Sequence, residues 1–181
     1  GLSLKRARIA AFGSTCRPQS PPSADANILA LIDAQTPIVT KHEDAPPEQL
    51  EDVVDAVLAV GGERVAVGSK TLEFWWVKSL PLRPDSGETS WESVEEGTLV
   101  GAVEISAPYP DVRGMTLKAG VYTLRYGIQP ADGNHIGVSA LREFLLLSPG
   151  EADSTAAARG HDALVTIAKL STGAHPPSWS L

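Results

Sequence analysis

The stretch 120–149 constrains this chain more than any other. Tyr122, Leu124, Tyr126 and Ile128 alternate with Thr123 and Arg125. That period of two marks a strand with one face buried. Residues 142–148 form a nearly continuous apolar run around Phe144, Leu145, Leu146 and Leu147, which fits a strand covered on both faces. Arg125 points away from the tyrosines. It either reaches the surface or pairs with Glu143 or Glu73 across the sheet.

The rest of the chain extends this pattern. Short strands are expected at 36–40, 64–67, 71–80 and 98–106, with Leu99, Val103 and Ile105 inward, and a brief pairing at 115–117. In the third of these, Leu72, Phe74 and Trp76 share one face, while Glu73, Trp75 and Val77 share the other. One helix is expected over 47–60. Pro46 and Pro47 suit its first turn, Leu50, Val53, Val54, Val57 and Leu58 recur at helical spacing, and Gly61-Gly62 ends it. Residues 163–170 balance a helix opened by Asp162 against a strand. The β-branched run Val165-Thr166-Ile167 favours the strand, and 179–181 adds an edge pairing. With 14 Pro and 16 Gly to make turns, the pattern predicts an all-β fold. Its expected form is an antiparallel β-sandwich, jelly-roll or immunoglobulin-like, with one short N-terminal amphipathic helix. Residues 1–33 read as a flexible leader or signal-peptide remnant, and 34–181 as a single sandwich domain.

Charge and composition exclude several function classes. The formal net charge is −7 over 181 residues, which opposes binding to nucleic acid, where clustered Lys and Arg must neutralise phosphates. No apolar stretch approaches the roughly 20 residues of a transmembrane helix. Cys16 is the only cysteine, so no internal disulfide can form. There is no phosphate-cradling Gly-rich loop and no dinucleotide fingerprint. Gly137-Val138-Ser139 lacks the second glycine of a nucleophile elbow.

Binding chemistry concentrates in loops. The segment 130–141 joins the two strongest strands and is longer than the roughly 2–5 residues of a tight hairpin. It carries Asp132, Asn134 and His135, a donor–acceptor set for a polar ligand. Asp132-Gly133-Asn134 is turn chemistry rather than a calcium loop. Trp75 and Trp76 face opposite sides of their strand; helix and sheet are expected to bury both, and the alternative, an aromatic left exposed, makes Trp75, with Arg125, a candidate ligand contact. Neutral imidazole is the commonest metal ligand, which makes His42, His135, His161 and His175 candidate metal residues. Glu43 and Asp44 flank His42, and Asp162 flanks His161. None shows the H-E-x-x-H type of spacing, so a site would have to be assembled by the fold. No cofactor is predicted beyond a possible metal ion.

Lys-Thr-Leu-Glu-Phe-Trp-Trp-Val at 70–77, Gly-Val-Tyr-Thr-Leu-Arg-Tyr-Gly-Ile-Gln-Pro at 120–130, Asn-His-Ile-Gly-Val-Ser at 134–139, Arg-Glu-Phe-Leu-Leu-Leu-Ser-Pro at 142–149 and Gly-His-Asp at 160–162 resemble a group of uncharacterised exported bacterial proteins. The resemblance covers roughly 37–181. It implies a periplasmic or extracellular location and brings no activity or catalytic residues. The expected function is a non-catalytic exported module that binds a partner protein or small ligand. A His-based metal-binding protein and an accessory subunit of a cell-envelope assembly are the alternatives.

Overall fold

The computed structural model describes residues 36–84, 90–129 and 142–181. The fold is mostly β, as the alternation requires. Strands β1 (Ile38–His42), β2 (Gly62–Val67), β3 (Lys70–Trp76), β4 (Leu99–Ile105), β7 (Gly120–Ile128), β8 (Glu143–Pro149) and β9 (Ser178–Ser180) form one antiparallel sheet, in the order β1-β2-β3-β4-β7-β8-β9. The sheet curls into a half-barrel. Strands β5 (Tyr109–Pro110) and β6 (Thr116–Leu117) pair as a separate ribbon. The expected sandwich thus resolves, among the described residues, into one large sheet whose faces are covered by shorter segments. The candidate leader 1–33 lies outside the described residues, and so does the loop with Asp132, Asn134 and His135.

Across its centre, from β3 to β8, the sheet is covered on both faces, for different reasons, while the edge strand β1 is exposed up to His42. One face carries Leu72, Phe74, Val103, Ile105, Tyr122, Leu124, Tyr126, Leu145, Leu147 and Trp179 in a single apolar cluster. Tyr109 and Leu117 of the ribbon cover it, together with Val94 beside the short 3-10 turn Trp91–Ser93. The Trp91 ring stacks on Tyr126 with centroids 5.7 Å apart. Leu99 does not belong to this face. A bulge between Leu99 and Gly101 shifts the β4–β7 register, which sends Leu99 to the opposite side and Val100 inward. A bulge adds one residue and reverses the alternation beyond it.

The other face is capped in three places. Near β3, Leu50, Val54 and Leu58 bury Trp75, Val77 and Ala102. Each such side chain contributes roughly 1.5–3 kcal/mol when removed from water. The helix here, α1, spans only Asp52–Asp55 rather than 47–60. Leu58 bridges to Val77, the Ala59 N–H donates to Trp76 O at 2.9 Å, and the Lys78 N–H donates to Val57 O at 2.9 Å. Pairing with the end of β3 thus replaces the helix's last turns; of the expected apolar face Leu50, Val54 and Leu58 are buried and Val57 is half-buried, while Val53 faces solvent. At the far side, α2 (His161–Lys169) packs Leu164 and Ala168 on Leu146 and Phe144. The expected strand over 163–170 is therefore a helix. Propensity differences of a few tenths of a kcal/mol per residue are outweighed by burying Leu164, Ile167 and Ala168 at three- and four-residue spacing. The third cap is polar and lies between these two.

Candidate functional site

The polar cap is built on Arg125 and Asp153, both fully buried. β7 delivers Thr123 and Arg125 to this face because they alternate with its tyrosines. Arg125 Nε donates to Asp153 Oδ2 at 2.6 Å and Nη2 donates to Oδ1 at 3.0 Å. Nη1 donates to the carbonyls of Gly97 at 2.7 Å and Ala157 at 2.9 Å, and Nη2 also donates to Thr155 O. All five N–H groups of the guanidinium are used. Asp153 also accepts from Thr123 Oγ1 at 2.6 Å and Arg159 Nε at 2.9 Å. Burial pushes the Asp153 carboxyl up, but the hydrogen bonds from Arg125 and Thr123 and the Arg125 charge outweigh it and hold it below the usual range. Gly97 belongs to the same lock. It has a φ of +82°, and a Cβ there would lie 1.8 Å from Arg159 O.

This lock fixes residues 153–159 against the start of β4 and creates a cleft. One lobe, of about 520 Å³, has an apolar lining that includes Val57, Val77, Leu82, Leu99 and Ala157. A second lobe of about 500 Å³ is lined by Arg83, Glu95, Glu96, Ala158, Arg159, Gly160 and His161. Arg83, Glu95 and Ala158 line both, so an apolar depression and a charged one adjoin at these residues. At the charged end His161 Nδ1 lies 2.9 Å from Glu96 Oε1. Glu96 Oε1 also accepts from the Ile128 N–H at 3.3 Å, which ties the pair to the end of β7.

The structure distributes the residues expected to bind. Trp75 is a core residue, 2% exposed, and its indole N–H donates to Asp44 O at 3.0 Å. It presents no face to a ligand. Arg125 reaches neither solvent nor Glu143 nor Glu73, because Asp153 takes it. His161 lies in the charged lobe. His175 is exposed in the turn after α2, where its carbonyl accepts from Thr172 Oγ1 at 2.6 Å. His42 is buried at the end of β1. Asp132, Asn134 and His135 lie outside the described residues.

Among the described residues, one group has the composition of a metal centre: His42, Asp44 and Glu73 offer ligand atoms within 4.8 Å of one another. It contains one of the expected histidines and lacks His161 and His175. Asp44 was visible as a neighbour of His42 in the chain. Glu73 and the lock residue Asp153 carried no local signal, because only strand register and the fold of 150–160 bring them into place. Comparison with family models, with curated proteins and with solved structures found no match to this chain. No helix among the described residues is long and apolar enough to cross a membrane.

Proposed function

We propose that the protein is a non-catalytic binding module whose ligand is a small amphipathic molecule held in this two-lobed cleft. The carrying observation is that an apolar depression and a charged one adjoin, sharing Arg83, Glu95 and Ala158 in their walls. Binding sites are commonly concave and mostly apolar, with a few fixed polar groups that orient the ligand. In this reading the apolar body lies against Val57, Val77 and Leu99. The polar head meets Arg159 and the His161–Glu96 pair. The buried Arg125–Asp153 lock supports the reading, because it makes residues 153–159 a rigid wall. The exported location implied by the resemblance belongs to the same proposal, and cell fractionation with an antibody to the chain should place it outside the cytoplasm.

The fluorescent probe anilinonaphthalene sulfonate tests the cleft, since it pairs an apolar body with an anionic head. It should bind the folded protein at one site per chain. Ala157 lines the apolar lobe and is exposed, so Ala157→Trp should fill the lobe. The variant should weaken the probe at least tenfold, about 1.4 kcal/mol, and leave the melting temperature unchanged. Equal binding to wild type and Ala157→Trp would remove the proposal.

A further inference from the structure

We propose that His42, Asp44 and Glu73 form a divalent-cation site of the zinc type, in which the Arg64 guanidinium stands as a displaceable resident cation. The site is separate from the cleft, and either reading can fail without the other.

The argument starts from one nitrogen. The His42 side chain is 2% exposed. Its Nε2 lies 3.3 Å from Phe74 O. A carbonyl only accepts, so Nε2 donates to it and Nδ1 is the ring nitrogen left over for another partner. Nδ1 has no hydrogen-bond partner among the described residues and faces Asp44 Oδ2 at 3.5 Å. A buried ring nitrogen without a hydrogen-bond partner, facing a carboxylate, leaves room for a shared cation between them. Two ligands about 2.1 Å from a tetrahedral ion lie about 3.4 Å apart, which matches the observed separation. Glu73 supplies the third ligand. One nitrogen and two carboxylate oxygens suit zinc, with a further position left for water.

The backbone holds this arrangement in place. The Asp44 carbonyl accepts from the Trp75 indole at 3.0 Å and from the Gly61 N–H at 2.9 Å. His42 lies opposite Gly62 in the β1–β2 register. A Cβ on Gly62 would stand 1.8 Å from Phe74 O and 3.1 Å from His42 Nε2. Only glycine lets the imidazole lean across β2 to reach β3.

Arg64 already reads the same two carboxylates. It sits opposite Glu73 in the β2–β3 register. Its Nε donates to Glu73 Oε1 at 2.8 Å and its Nη2 to Asp44 Oδ2 at 3.1 Å. The Arg64 side chain is 40% exposed, so it can withdraw into solvent as an ion enters.

Zinc titration of the full chain, purified without a histidine tag, against a chromophoric chelator tests the proposal. One zinc per chain is expected, with a change in the emission of Trp75, whose ring centroid lies 5.0 Å from that of His42. Asp44 is 62% exposed, so Asp44→Asn should fold normally and weaken zinc by at least about tenfold. Arg64→Gln should tighten zinc, because the competing cation is gone. Absence of stoichiometric zinc binding overturns the site. Binding that survives Asp44→Asn, or that weakens in Arg64→Gln, overturns it as well.

Discussion

Replacing Asp153 by alanine should destabilise this domain more than most single substitutions. The carboxylate is fully buried and accepts from Arg125 twice, from Thr123 and from Arg159. Its loss leaves the Arg125 charge buried with only the carbonyls of Gly97, Thr155 and Ala157 around it. Removing one member of a buried ion pair costs roughly 3–5 kcal/mol. A domain holds about 5–15 kcal/mol in total, so a large share of the stability should disappear. With a urea slope of about 1–3 kcal/mol/M, the unfolding midpoint should fall by more than about 1 M. Tryptophan fluorescence and circular dichroism should report the same transition. The pH dependence has a fixed sign. Because folding lowers the Asp153 carboxyl below its usual range, its contribution is present above the unfolded value of about 3.9 and is lost as pH falls through the folded value. The gap between wild type and Asp153→Ala should therefore narrow in acid. A loss below about 1 kcal/mol at neutral pH, the worth of an exposed pair, would refute the lock.

Two further outcomes test the apolar packing. Val54 is 0% exposed beneath Trp75 and Leu99, so Val54→Asp buries an unpaired charge and should cost several kcal/mol in urea unfolding; an unchanged midpoint would make the 50–58 cap peripheral. Tyr126 is buried with no partner for its hydroxyl among the described residues, so Tyr126→Phe should raise stability by about 1 kcal/mol. Burial, then the charge of Glu143, pushes the Tyr126 phenol up to about 12. Wild type should accordingly lose stability as pH rises from the unfolded tyrosine value of about 10 through 12, and Tyr126→Phe should not show that part of the loss.

The central strands were legible because each has one face, or both, that must leave water. Tyr122, Leu124 and Tyr126 alternate in the sequence and are buried on one side of β7. Trp75 and Trp76 were expected on opposite faces, and they join different sides of the sheet. The errors have equally local causes. The bulge at Leu99 is invisible to alternation because it is a register event between β4 and β7. Val165-Thr166-Ile167 suggests a strand until Leu146 offers Leu164 and Ala168 a surface to cover. The 47–60 helix ends early because Leu58 gains a bridge to Val77. The candidate sites were far less legible. Trp75, a candidate ligand contact, is buried as the favoured core reading had it and anchors Asp44, and Arg125 locks a loop it could not be seen to meet.

The sequence alone determined the mostly β class of the fold, the approximate positions of the strands in the large sheet and the placing of His42 beside an acidic neighbour, because these depend on residues within a few positions of one another. The tertiary structure alone decided which charges meet. Arg125 and Asp153 are 28 residues apart, Glu96 and His161 are 65 apart, and Arg64 reaches Glu73 through a nine-residue separation closed by strand register. A charge's partner is set by distance in space and by the water excluded around it. Both quantities come into being only when the sheet has curled and its covering segments have closed over it.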